Sequence, residues 1–166
     1  MSTCKTLLIV YHSMTGGTRQ MAEAAHAGAQ AEGGVTVRLL QAAQAGPQDV
    51  LSADGYLFAS PENLAAISGQ LKDFFDRSYY PALDRINGRP YAAMVCAGSD
   101  GHNAARQIAR IATGWRLRPV AEPLIVCTHA QTPEAILAPK QIAVAQQAAC
   151  HALGEAMAAG LALGVF

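Results

Sequence analysis

The sequence predicts an α/β domain: a doubly wound, five-stranded parallel sheet of strand order 2-1-3-4-5 with helices on both faces. Three observations carry this reading. Short β-rich runs alternate with longer runs of helical period along the whole chain. The first β-rich run is apolar almost throughout, as a strand buried on both faces is. Strands separated by helical segments pair in parallel through right-handed crossovers. The chain has 166 residues, which suits one domain with one sizeable core. A single domain over residues 1–166 is expected, without linker, repeat or low-complexity tract.

The elements follow in order. Lys5 to Tyr11 (KTLLIVY) is the first strand. Thr18 to Glu32 is Ala-rich and helical in period, and Gly33-Gly34 stops it. Val35 to Leu40 reads as the second strand, and Pro47 to Leu51 as a short helix. Tyr56 to Ala59 is the third strand, which Ser60-Pro61 is expected to break. Ile67 to Tyr79 is a helix with Leu71, Phe74 and Phe75 on its core face, ended by Tyr80-Pro81. Pro90 to Ala97 is the fourth strand, and Asn103 to Thr113 a helix with Ile108 and Ile111 inward. Leu124 to Thr128 is the fifth strand, and Pro139 to Leu161 a long final helix. Trp115 is expected to pack after the fourth helix.

Composition excludes several classes. Apolar residues make up 51% of the chain and charged ones 14%, which is not a disordered composition. The abundant Ala implies close helix packing. Formal net charge is +0, with 12 basic and 12 acidic residues scattered along the chain. No basic stripe points to nucleic acid, and no one-signed field is available to steer a charged partner. The four cysteines, Cys4, Cys96, Cys127 and Cys150, have neither CxxC nor metal-ligand spacing. Cys96 and Cys127 lie in apolar runs and read as small core residues. No metal site is expected. Leu7 to Val10 is too short for a signal-peptide core, and no apolar run reaches the roughly 18 residues of a membrane span. The expectation is a cytoplasmic protein.

In a sheet of this order, ligands bind beyond the C-terminal ends of the strands, at the switch point between the first and third. Three loops therefore matter. The first, His12-Ser13-Met14-Thr15-Gly16-Gly17-Thr18, joins a buried strand directly to a helix. It carries three hydroxyls, two glycines and no acid. Glycines let backbone N–H groups turn toward an anion, and the helix start adds the positive end of its dipole. This combination suits a phosphate monoester held by neutral donors. The same residues also suit a plain capped turn. There is no Gly-Lys-Ser/Thr and no G-x-G-x-x-G, which excludes the triphosphate and dinucleotide loops.

Tyr11 to Ala22 resembles the FMN-phosphate signature of the flavodoxin family, S/T-x-T-G-x-T followed by a helix. Ser60 to Arg77 resembles the "SP-x-x-x-x-x-x-S-x-x-L/M-K-x-F-x-D" stretch of flavodoxin-like NAD(P)H-dependent FMN and quinone reductases. The resemblance in element order covers essentially the whole chain. It implies FMN as cofactor, with its phosphate on Ser13, Met14, Thr15, Gly16, Gly17 and Thr18. It further implies that Ser60, Pro61, Glu62, Asn63, Leu64 and Ala65 line the isoalloxazine, and that Gly98, Ser99, Asp100 and Gly101 hold its pyrimidine edge. His102 and Asn103 lie beside that third loop and are candidates to face a substrate.

The activity that the resemblance implies is NAD(P)H-dependent reduction of a quinone, flavin or similar small-molecule acceptor, with flavin N5 carrying the hydride chemistry. No catalytic side chain is required. Loops two and three contain no aromatic residue to stack on the ring. That leaves a ring face open to a nicotinamide and favours a reductase over an electron-transfer flavodoxin, which is the alternative. A third reading, a non-enzymatic module that keeps the site for another phosphate ligand, stays open, because fold alone does not establish function. A receiver-type response module is excluded, since no acidic residue stands at Tyr11, His12 or Ser13. The apolar tail Leu161 to Phe166 and the Ala-rich helices suggest a homodimer or homotetramer.

Overall fold

A computed structural model describes residues 3–166. The sheet is built on β1 (Lys5–Tyr11), β2 (Val35–Gln41), β3 (Gly55–Asn63) and β5 (Pro90–Ala97), in the order β2-β1-β3-β5. All three of these pairings are parallel. The next position is shared by two short strands, β6 (Arg118–Pro119) and β7 (Leu124–Cys127), each parallel to β5. A small β4 (Ala66–Ile67) folds back antiparallel on the end of β3.

The class and strand order match the expectation, but among the described residues the sheet has seven strands rather than five. The edge position is split because Pro119 and Pro123 bracket its middle. Proline has no N–H to donate to the ladder, so it tolerates only strand ends and edges. The third strand also runs past the expected break. Ser60 and Pro61 stay in register with Val95 and Cys96, and β3 reaches Asn63. Ser60 and Pro61 thus carry the chain over the end of the sheet instead of ending the strand.

The helices are α1 (Gly17–Glu32), α2 (Pro47–Ser52), α3 (Gly69–Ala82), α4 (His102–Gly114), α5 (Pro133–Leu137) and α6 (Val144–Leu163). Helix α3 continues through Pro81 in its last turn. The expected final helix starts later than its sequence suggests, at Val144, and Pro139 lies in the preceding connection. Among the described residues no helix is long and apolar enough to cross a membrane.

Alternate residues of each central strand feed two cores, which is why β1 reads as a continuous apolar run. Leu8, Val10, Tyr56, Phe58 and Val95 pack on the side of α2, α3 and α4 with Phe74, Phe75 and Trp115. Trp115 meets Phe75 edge-on at 5.4 Å between centroids. Leu7, Ile9, Leu57 and Met94 pack on the opposite side with α1 and α6. Those two helices touch backbone to backbone. A Cβ on Gly154 would fall 1.8 Å from the Ala25 carbonyl oxygen, and one on Gly28 would fall 2.0 Å from that of His151. Burial on both sides of the sheet fixes the strand ends, and with them the three loops at one edge.

Candidate functional site

The loops after β1, β3 and β5 converge on one cleft of 120 Å3. Ser13, Met14, Thr15, Gly17 and Thr18 line it from the first loop. Pro61, Glu62 and Asn63 line it from the second, and Cys96, Ala97 and Gly98 from the end of β5. Thr128, Ala130, Ile136 and Lys140, from the connection after β7, close the remaining side.

The first loop is shaped by Gly16, whose φ of 93° is open to glycine at little strain. Its N–H donates to Ser13 Oγ at 3.1 Å. The turn presents the start of α1 to the cleft without a side-chain cap, so the free N–H groups and the helix dipole remain available to an anion. Thr18 is 1% exposed, and its Oγ1 has no hydrogen-bond partner among the described residues. A buried hydroxyl left unpaired costs about 1–3 kcal/mol. Thr18 lines the cleft. His12 Nδ1 is also buried and unpartnered, and burial holds the imidazole pKa below its ordinary value.

Gly17 lets the walls close. A Cβ there would stand 2.6 Å from Cys96 Sγ and 3.5 Å from Lys140 Cβ. Cys96 is a buried residue, as expected, yet it also forms the floor of the cleft. Burial pushes its thiol up to about 11, so the sulfur is neutral and a poor nucleophile near neutral pH.

The second loop is a hairpin closed by its two serines. Ser60 Oγ accepts from Ser68 N at 3.0 Å and donates to the Pro61 carbonyl at 2.8 Å. Ser68 Oγ in turn accepts from Leu71 N and caps α3. The serine spacing therefore reflects a turn folding onto its own strand. Ser60 is fully buried and lies behind the cleft. Leu64 and Ala65 occupy the hairpin tip with φ of 50° and 61°, and neither lines the cleft. Leu64 is fully exposed.

The third loop is held from the second. Glu62 Oε1 accepts from Gly101 N at 2.8 Å and Oε2 from Ala104 N at 3.0 Å. This carboxylate caps α4, whose own N-cap is Gly101 with φ 88°. Gly98 lines the cleft, whereas Ser99, Asp100 and Gly101 do not. Asp100 bonds His102 Nδ1 at 2.6 Å in solvent, and that bond holds the carboxyl below its usual range. Asn103 donates to the Ala65 carbonyl and so ties the hairpin tip to α4.

Cys96, Ala97, Thr128, Ala130, Ile136 and Lys140 also line the cleft, although none lies in the three loops that the sequence singles out. One signal was available for Lys140, the only Asp, Glu, Lys or Arg between Glu134 and Glu155.

The sequence model of the NADPH-dependent FMN reductase family matches residues 42–132, more than half of the chain. The chain belongs to that family. The match runs from the end of β2 to the start of α5 and includes the second and third loops. A protein named flavodoxin from Aquifex aeolicus is 36% identical over 95 residues, covering 57% of this chain and 51% of its own length. An NAD(P)H dehydrogenase (quinone) from Acidithiobacillus ferrooxidans is 29% identical over 92 residues, 43% of this chain and 46% of its own. The chain thus matches about half the length of these curated relatives. Among solved structures, a flavodoxin from the domain Archaea superposes with a TM-score of 0.75 at 18% identity, over 94% of this chain and 98% of the other. A flavodoxin, WrbA-like protein from Agrobacterium tumefaciens gives 0.68 at 20% identity, over 96% and 98%. These likenesses show the flavodoxin-like fold of this FMN reductase family member.

Proposed function

We propose that this single-domain protein binds FMN in the three-loop cleft and uses it to pass reducing equivalents from NAD(P)H to a quinone, flavin or similar small acceptor. The observation that carries the proposal is Thr18 Oγ1, a buried unpaired donor on a wall formed by a helix start and the hydroxyls of Ser13 and Thr15. Neutral donors around a helix N-terminus suit a phosphate monoester. The cleft of 120 Å3 is small beside the roughly 300–1,000 Å3 of pockets that enclose a whole ligand. It suits the phosphate end of the nucleotide, and Asn63 and Gly98 are among the residues that would hold the ring.

When bound, the flavin supplies the two-electron chemistry. The chain's own residues bind and orient it. Ser13, Thr15 and Thr18 donate to the phosphate. Pro61, Glu62 and Asn63 form one side of the mouth, and Ala97 and Gly98 the other. The Glu62 carboxylate, held by two backbone N–H groups, fixes the spacing between the sides. The absence of an aromatic residue at positions 62–66 and 99–103 leaves room for a nicotinamide.

An absorbance scan with added FMN, before and after anaerobic NADPH and then NADH, tests the reading. Bound flavin that bleaches promptly with either nucleotide is the expected result. The Aquifex relative's name and its 36% identity favour a second reading, an electron-transfer flavodoxin. That reading predicts bound flavin that neither nucleotide bleaches. The exposed Val144, Leu163 and Val165 near the ends of α6 support self-association into a homodimer or homotetramer.

A further inference from the structure

The connection from His129 to Ala143, which includes α5, lies along one side of the cleft and is fastened by three hydrogen bonds, one to the first loop and two to Gln20 in α1. Lys140 N donates to the Thr15 carbonyl at 2.9 Å. Gln20 Nε2 donates to the Lys140 carbonyl at 2.7 Å. Ile142 N donates to Gln20 Oε1 at 3.0 Å. These bonds hold the Lys140 backbone against the loop, and its side chain lines the cleft with Ser13, Thr15 and Thr18.

The Lys140 ammonium has only neutral partners. Nζ donates to the carbonyls of Ala135, Ile136 and Ala138 at 2.8, 2.8 and 2.6 Å. Lys5 and Lys72, the other two lysines, pair with Asp54 and Asp76. No carboxylate among the described residues pairs with Lys140. Glu62, the one acid on the cleft, is committed to Gly101 and Ala104. Arg19 lies near the first loop but pairs with Glu23 along α1 and does not line the cleft. Lys140 is therefore the single cation on the wall among the described residues. Its charge reaches the floor, where it opposes the effect of burial on the Cys96 thiol.

A phosphate monoester carries about −1.5 to −2 charges near neutral pH, and the first loop offers it no cation. We propose that Lys140 is the counter-cation of the cofactor phosphate, carried to the site by the connection after β7 and turned from the α5 carbonyls onto the phosphate when the nucleotide binds. This rests on the FMN reading above. The motion is a change of side-chain rotamer with the backbone already in place, and the ion pair replaces three neutral hydrogen bonds.

The test compares FMN with riboflavin, which lacks the phosphate. Dissociation constants are measured by flavin fluorescence for wild type, Lys140→Gln and Lys140→Arg, with melting temperatures alongside. Lys140→Gln is expected to weaken FMN by about tenfold or more and to leave riboflavin unchanged, and Lys140→Arg to restore most of the FMN affinity. In 31P spectra the bound phosphate should stay dianionic to lower pH in wild type than in Lys140→Gln. FMN affinity within about twofold of wild type in Lys140→Gln overturns the assignment. So does an equal loss for FMN and riboflavin, which makes Lys140 a fastener of the connection alone. A wild-type protein that binds neither flavin overturns the cofactor reading itself, and the assignment with it.

Discussion

Glu62 Oε1 accepts a hydrogen bond from Gly101 N at 2.8 Å. Its second oxygen takes the Ala104 N–H, so one side chain at the end of β3 caps the helix that follows β5. Glu62 thereby ties the end of β3 to the start of α4. Glu62→Ala leaves two N–H groups at the α4 start uncapped and is expected to lower stability by about 1–2 kcal/mol. Glu62→Gln keeps one acceptor and should lose less. Urea denaturation of both variants checks the order.

Gly17 and Cys96 form a tight joint of the site. In an ordinary first helical turn, Gly→Ala stabilises by up to about 1 kcal/mol. Here the added carbon would meet Cys96 Sγ at 2.6 Å, and the strand end or the first loop must shift. Gly17→Ala is expected to destabilise by about 1–3 kcal/mol. Gly17→Ala/Cys96→Ala should recover most of that loss, giving a clear coupling energy in a double-mutant cycle. Additive effects of the two substitutions would contradict the packing described.

His12 makes stability depend on pH. Burial lowers its pKa below the ordinary 6.5. Above 6.5 the ring is neutral in both folded and unfolded chains, and its contribution is fully present. As pH falls from 6.5 toward the folded-state value, the unfolded chain takes up a proton that the folded one resists, and stability is lost. Urea midpoints of wild type should therefore drop more steeply below that pH than those of His12→Asn. Parallel profiles would show that this imidazole is not the group responsible.

The hairpin tip carries a conformational penalty. Leu64 and Ala65 both hold positive φ in a two-residue turn, a geometry that favours Asn-Gly. Leu64→Asn/Ala65→Gly is expected to raise stability by roughly 0.5–1 kcal/mol. A fully exposed leucine held at positive φ beside the cleft is the pattern of a functional loop; if the cleft takes FMN as proposed, the same variant should bind it less tightly. A calorimetric scan and a flavin titration on one preparation read both effects.

Much of this was legible in the chain itself. β1 and the strand over 90–97 have the bounds that their apolar runs indicate. The helix faces of Leu71, Phe74 and Phe75 are core, as their spacing requires. That the first loop lines the cleft was legible because its features are local: hydroxyls, glycines and a helix start within seven residues, 12–18. What stayed hidden depends on distant partners. Lys140 and Ile142 look like the first turn of a helix, but their N–H groups bond to Thr15 and Gln20 across the cleft, which delays α6 to Val144. Cys96 joins the site because β3 and β5 pair in a register that sets it opposite Pro61. Ser60 leaves the site because its hydroxyl closes a hairpin. None of these pairings has a local signature.

FMN titration of wild type against Thr18→Val is the decisive measurement for the proposed role of the unpaired Thr18 hydroxyl as a donor to a flavin phosphate. Wild type is expected to bind FMN stoichiometrically, and Thr18→Val to lose about tenfold or more in affinity. Without flavin, Thr18→Val should be at least as stable as wild type, since a buried unsatisfied group has been removed. FMN affinity unchanged in Thr18→Val, or no binding of FMN by wild type, overturns the proposed role.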